Sequence, residues 1–250
     1  MTNRLYLNLF ISLTILLIGY YSATEITTYW GNKIVNITST VVASLFLTGF
    51  SFKNLPKKVD LEIYYKYLFP ISFGIIGLCL LNYFIPALVY KLMDWKFNND
   101  ILKSITNLPR FLITMVLSVF LEELYYRRII AQKILNEKGF RTSIWLSALA
   151  FCIGHFFSST GLLSAFLGGL ILGYIFLKTK SLILSFIAHL VYNYTTFFGA
   201  LKLNENTNLW NSYLIISLII LIGLLMVAIM IYIINKWKPK IEAKKPATNS

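Results

Sequence analysis

Eight apolar stretches run along the chain, each set off from the next by a short polar or charged interval: Leu5–Ala23, Ile34–Phe52, Tyr67–Tyr90, Phe111–Ile130, Ile144–Phe157, Leu162–Leu177, Leu182–Gly199 and Tyr213–Ile234. A helix that crosses a bilayer needs about 20 predominantly apolar residues, and several of these stretches reach that length. The pattern therefore predicts an all-α fold, a polytopic integral membrane bundle of about eight transmembrane helices. No interval is long enough for a soluble module, so residues 1–250 are expected to form a single transmembrane domain. The fifth and sixth stretches are shorter and only Ser158–Gly161 separates them, which leaves open a tight hairpin or a partly re-entrant pair. Pro70, Gly74, Gly77 and Pro86 are expected to let the third helix bend.

Composition agrees: 57% of the residues are hydrophobic and 13% charged, too apolar a mixture for a polar-surfaced soluble domain. The first stretch, with Arg4 ahead of it, resembles a signal peptide, but it is long for one and no clear cleavage site follows, so it is read as a retained anchor. Cys79 and Cys152 fall inside apolar stretches at no ligand spacing and read as reduced packing residues.

A net charge of +13 invites a nucleic-acid reading, yet the positions of the charges argue against one. With eight spans, 17 lysines and arginines fall on the side of the two termini and six on the other (Lys33, Lys91, Lys96, Lys103, Arg110 and Lys202). The positive-inside rule then predicts a multi-pass protein of the cell membrane with both termini cytoplasmic, and no nucleic-acid partner. Residues 236–250 form a basic tail facing anionic headgroups.

The chemistry is concentrated where charge is expensive. Glu122 and Glu123 sit inside the fourth apolar stretch, and His155 and His189, the chain's two histidines, lie in the fifth and seventh. A charge at the centre of a bilayer costs at least a few kcal/mol on insertion scales (about 2.5–3.5), so four such groups suggest use rather than accident. At helical spacing the two glutamates point in different directions. Glu123 stands four residues before Arg127 and can pair with it, whereas Glu122 has no local cation and is free to act as a general base. The blander reading is that both acids neutralise Arg127 and Arg128 near the interface. Phe151 and His155 share a face one turn apart, as do His189 and Asn193, and the latter pair could offer two N–H donors to one oxygen, which an oxyanion hole requires. With a rise of 1.5 Å per residue, Glu122, His155 and His189 fall at similar depths, ~12–18 Å from the inner boundary. Ala165, Gly169 and Gly173 form a small-residue stripe, expected to bring the His189 helix against the glutamate helix.

In order, Glu122-Glu123-xxx-Arg127, Phe151-xxx-His155 and His189-xxx-Asn193 resemble the three signature motifs of the CAAX-protease and bacteriocin-processing (CPBP, or Abi) family of intramembrane endopeptidases. The resemblance runs from Leu121 to Asn193, which makes 111–199 the expected catalytic core. It implies that Glu122 activates a water with His155 orienting it or sharing its proton, that Glu123 is the structural partner of Arg127, that Phe151 packs the motif, and that His189 and Asn193 stabilise a tetrahedral oxyanion.

Members of the family are often labelled metalloproteases, and Glu122, His155 and His189 would suit zinc by ligand type. The H-E-x-x-H helix motif is absent, however, and a glutamate cannot be at once free base and ligand, so no cofactor or metal is assigned. The expected partners are the lipid bilayer and a membrane-anchored peptide or protein precursor, cleaved near the cytoplasmic face; by family analogy a bacteriocin or peptide-pheromone precursor fits better than a prenylated protein. The alternatives are a bacteriocin self-immunity protein or non-catalytic membrane scaffold of the same fold, and a transporter or proton relay, which the lack of duplicated halves disfavours.

Overall fold

The computed structural model describes residues 2–49, 65–94, 108–158, 161–204 and 212–236. They form helices α1 (Thr2–Thr24), α2 (Tyr29–Leu47), α3 (Tyr65–Leu92) and α4 (Leu108–Glu122), a π-helical segment (Glu123–Ala131), then α5 (Gln132–Lys138), α6 (Phe140–Gly154), α7 (Leu162–Thr179), α8 (Leu182–Asn204) and α9 (Tyr213–Asn235), with no strand among the described residues. The fold is an all-α membrane bundle. Among the described residues four helices are long and apolar enough to cross a bilayer: α1, α3, α7 and α9. Two more, α6 and the apolar part of α8, are shorter.

Several boundaries differ from the hydropathy pattern. α2 starts at Tyr29, five residues before the apolar run, because Thr28 holds an extended N-cap conformation and the polar residues Asn32 and Lys33 complete the first turns. Positions 50–52 of the predicted second span, and all of the basic tail but Lys236, lie outside the described residues. α4, the π segment and α5 run on without a break from Leu108 to Lys138, longer than the predicted fourth span. α6 stops at Gly154, so His155 is the residue that ends the helix (φ −93°, ψ 7°) rather than one inside it.

The described helices fall into two compact units. The first takes in residues 1–59 and 99–177, the second residues 60–98 and 178–250, so the expected catalytic core contributes to both.

In the first unit, α1 packs along α2, and the π segment is enclosed by α2, α4, α5 and α6. Its core gathers Leu5, Leu16, Ala43, Tyr125, Tyr126, Ile130, Ile134, Ala150, Phe151 and Ala165. Polar ties fix the register of these helices. Ser12 Oγ contacts the Ala43 carbonyl oxygen (2.9 Å) and the Tyr125 hydroxyl (2.6 Å), the Tyr29 hydroxyl meets Thr114 Oγ1 (2.5 Å), and Ser143 donates to the Ala131 carbonyl that closes the π segment (2.6 Å). In a bilayer such bonds hold helices together where no hydrophobic force distinguishes neighbour from lipid. Lys133 donates to the Leu47 carbonyl at the end of α2 (3.0 Å), meeting one of the acceptors a helix leaves open there. Gly139 separates α5 from α6 at φ +82°, a conformation in which a Cβ is strained. The small-residue stripe of α7 lies on α6: a Cβ at Gly169 would stand 3.0 Å from Ala148 Cα, and one at Gly173 would stand 3.4 Å from Ser147 Oγ. The expectation that this stripe serves the His189 helix gives way to that contact.

In the second unit, α3 packs against both α8 and α9. The two prolines lie inside one continuous helix, and the glycines between them admit α9: a Cβ at Gly77 would come 2.8 Å from the Gly223 carbonyl oxygen, and one at Gly223 would come 2.9 Å from that of Gly77. On the α8 side, Asn82 donates to the Tyr192 hydroxyl (2.5 Å), the Tyr83 hydroxyl donates to the Thr196 carbonyl, and the Cys79 thiol faces the Tyr192 carbonyl (3.6 Å). Cys79 and Cys152 are both free thiols.

Candidate active site

The π segment is the local feature on which the site is built. π-helices are rare and occur mostly as single-turn bulges, often at functional sites; here nine residues adopt one. Its wider turn lets neighbours in the sequence face inward together, and Glu123, Tyr125, Tyr126, Arg127, Ile129, Ile130 and Ala131 are all buried.

Glu123 and Arg127 pair as their spacing predicted, with Nε and Oε2 3.3 Å apart and both side chains fully buried. The guanidinium also lies over the Phe151 ring, 4.8 Å from its centroid. No guanidinium nitrogen makes a well-aligned hydrogen bond among the described residues, so the charge is held by the carboxylate's field and the ring face rather than by directed bonds. Burial of an ion pair costs several kcal/mol per ion, which the attraction between the two offsets only when the geometry is favourable. The pair is therefore a poor source of stability but a strong constraint on how the π segment and α6 can pack.

Glu122 takes the other direction. Its carboxylate approaches the ring of His155, Oε2 to Nε2 3.9 Å, with 19% and 16% of the two side chains exposed. The far side of the imidazole is fixed by the 2.8 Å contact of Nδ1 with the Phe151 carbonyl oxygen. A carbonyl can only accept, so Nδ1 carries the proton and, in the neutral ring, Nε2 presents a lone pair to Glu122. The ring stacks against Phe151 (centroids 4.3 Å apart), so Phe151 touches both Arg127 and His155 and links the buried pair to the exposed one.

Glu122 and His155 border a cavity of about 320 Å³ inside the first unit. Its remaining walls come from α1 (Tyr20, Thr24), α2 (Asn32, Lys33, Asn36, Ile37, Thr40), α4 (Ser118, Leu121), the π segment (Tyr126) and the end of α6 (Gly154, Phe157, Ser158). Thr24, Phe157 and Ser158 are exposed while Thr40, Tyr126 and Gly154 are buried, so the cavity opens where α1 ends, α2 begins and α6 ends. This is the opposite end of the unit from Lys133, Lys138 and Arg141. The wall is unusually polar for a helical membrane protein. Asn32 donates to the Ala23 carbonyl (2.6 Å), Asn36 to Asn32 (3.2 Å), and the Tyr20 hydroxyl meets Thr40 (3.1 Å).

The structure thus brings together Glu122, Glu123, Arg127, Phe151 and His155. His189 and Asn193 belong to the second unit, on α8; His189 is buried (2% exposed) and Asn193 is partly buried. Among the described residues no three His, Cys, Asp or Glu side chains converge on a point that could hold a metal ion. In the first unit Glu122 and His155 are the two groups of zinc-ligand type at this cavity, and no step is derived through a metal.

Sequence reasoning missed the contribution of α1 and α2 and that of Tyr126. Asn32 and Lys33 fall ahead of the predicted second span and Asn36 and Thr40 inside it, and none of them belongs to a motif. Tyr126 carried a usable signal, since it stands four residues after Glu122, the same spacing that linked Glu123 to Arg127.

Residues 104–195 match the family model described as Type II CAAX prenyl endopeptidase Rce1-like. The match covers just over a third of the chain and contains all three motifs, so this segment is similar to that family. No curated protein and no solved structure matches the chain. Its apolar helices define a multi-pass membrane protein, and the segment 104–195 is similar to CAAX-type proteases.

Proposed function

We propose that the protein is an intramembrane endopeptidase that hydrolyses a peptide bond of a membrane-associated protein or peptide precursor, using a water activated by Glu122 and His155. The observation that carries this reading is the facing of two acceptors, Glu122 Oε2 and His155 Nε2, 3.9 Å apart at the edge of a polar cavity. Two acceptors cannot bond to each other, but a water between them can donate one hydrogen to each and turn its lone pair to the cavity. As the water oxygen attacks the scissile carbonyl carbon, Glu122 takes its proton and the carbonyl π electrons move onto oxygen. On collapse the C–N bond breaks and Glu122 returns the proton to the leaving amine. His155, held by the Phe151 carbonyl, keeps the water in line, and the buried Glu123–Arg127 pair fixes the segment that carries Glu122. Family resemblance assigns oxyanion stabilisation to His189 and Asn193. Glu122 acts first as base and then as acid, a proton-carrying role that leaves it no part as a metal ligand.

The opening supplies the direction of entry. If the end bearing Arg4, Lys133, Lys138 and Arg141 is cytoplasmic, the cavity mouth at Thr24 and Ser158 faces the other leaflet, which moves the expected cleavage away from the cytoplasmic face. A Ser158→Cys variant lacking Cys79 and Cys152 should label with a membrane-impermeant maleimide added outside intact cells; labelling only after the cells are opened would reverse the orientation.

Hydrolysis is tested with purified protein in detergent on a panel of membrane-anchored precursor peptides, wild type beside Glu122→Gln. The proposal expects cleavage by the first and a loss of about 10²- to 10⁴-fold in the second. Equal behaviour on a peptide that both bind would favour the immunity or scaffold reading.

A further inference from the structure

Tyr126 is buried to 1% exposure, its ring packed edge-on against Tyr125 and Phe151 (centroids 4.8 and 5.0 Å), yet its hydroxyl has no hydrogen-bond partner among the described residues. Leaving a buried hydroxyl unsatisfied costs about 1–3 kcal/mol, and a phenylalanine would fill the same space without that cost. The neighbouring Tyr125 shows the ordinary solution, a 2.6 Å contact with Ser12. Tyr126 is also given room that its ring alone does not need. Its hydroxyl reaches the backbone of Gly154, where any Cβ would overlap it, and Tyr126, Gly154, His155 and Glu122 all line one cavity.

Such a group adds a donor to the wall of that cavity, which also holds Lys33 and Ser118, and does so in addition to His189 and Asn193, to which family resemblance assigns the oxyanion. Glu122 and the lone-pair side of His155 both accept, whereas a carbonyl under attack gathers negative charge on its oxygen and needs a donor. The Tyr20 hydroxyl is engaged with Thr40. The Tyr126 hydroxyl has a proton to give and lies beside Gly154, the residue before His155.

We propose that Tyr126 is a further catalytic residue of the hydrolysis, its hydroxyl donating a hydrogen bond to the carbonyl oxygen of the scissile peptide and to the oxyanion that forms from it. The phenol keeps its proton throughout; the proton that moves travels from water to Glu122 to the leaving amine. The inference rests on the protease reading above. It also explains Gly154: the glycine is required because a side chain there would displace the donor.

The test compares wild type, Tyr126→Phe and Glu122→Gln on two quenched-fluorophore probes in the same micelles, a farnesylated CAAX peptide and an unprenylated transmembrane precursor peptide, together with the thermal stability of each protein. Tyr126→Phe is expected to lower kcat about 100-fold with KM little changed, the effect of losing one oxyanion donor, while its melting temperature holds or rises. Gly154→Ala is expected to lower kcat in the wild-type background and to add little in the Tyr126→Phe background. Unchanged turnover in Tyr126→Phe, with Glu122→Gln inactive, would overturn this inference alone. A clear loss of melting temperature in Tyr126→Phe would give the hydroxyl a structural partner and overturn it too. Wild type inert on both probes, or as active as Glu122→Gln, would remove the protease reading and this one with it.

Discussion

The π segment and α9 reverse the usual relation between polarity and burial. α9 is the most apolar of the candidate spans, yet only Ile216, Gly223, Met230 and Ile234 of its 23 residues are buried, and Leu221, Leu224 and Leu225 lie half exposed on its outer surface. The π segment carries two tyrosines, a glutamate and two arginines, and seven of its nine residues are buried. In water this would be an inverted protein. In a bilayer the solvent is itself apolar, so an apolar surface costs nothing to expose and a polar group must be enclosed. Hydropathy therefore marks what lipid touches, and a polar interruption marks what the protein does.

The contrast can be broken most severely at Arg127. Its removal as Arg127→Met leaves Glu123 charged, buried and alone, and should cost about 3–5 kcal/mol, read as a large fall in the melting temperature of the detergent-solubilised protein. The double variant Glu123→Leu/Arg127→Met should recover most of that loss, because no uncompensated charge remains. A single variant as stable as wild type would mean that the segment is not held by its ion pair. At the other extreme, Leu225→Ala on the lipid face of α9, 55% exposed, should shift stability by no more than about 0.5 kcal/mol although it deletes a large apolar side chain. A larger loss there would show a covered face rather than a lipid-facing one.

The same contrast explains what could be read from the sequence. The apolar stretches located most of the helices, since bilayer thickness imposes a length that a window of residues can register. The divergence of Glu122 from Glu123, the Glu123–Arg127 pair and the Phe151–His155 contact all followed from spacings of one turn. What spacing could not show was a change of helix type: the π segment alters the rotation per residue just after Glu122, and this is what turns Tyr125, Tyr126 and Arg127 inward together. Nor could it show that α6 ends at Gly154, leaving His155 at a helix terminus. The cavity wall was hidden for another reason. Asn32, Lys33, Asn36 and Thr40 come from α2, far from the motifs in sequence, and only tertiary packing brings them to Glu122. For His189 and Asn193, one turn of α8 fixes their shared face but not which helix they serve.

The central claim is that Glu122 and His155 together activate a water, and it is tested most directly by single-turnover cleavage of a membrane-anchored precursor peptide by wild type, Glu122→Gln, His155→Ala and the double variant, each in the presence and absence of a chelator. The account predicts that both single variants lose at least about 10²-fold, that the double variant is little worse than either because the two groups act as one unit, and that the chelator changes nothing. Additive losses, full activity in Glu122→Gln, or activity abolished by the chelator would contradict it.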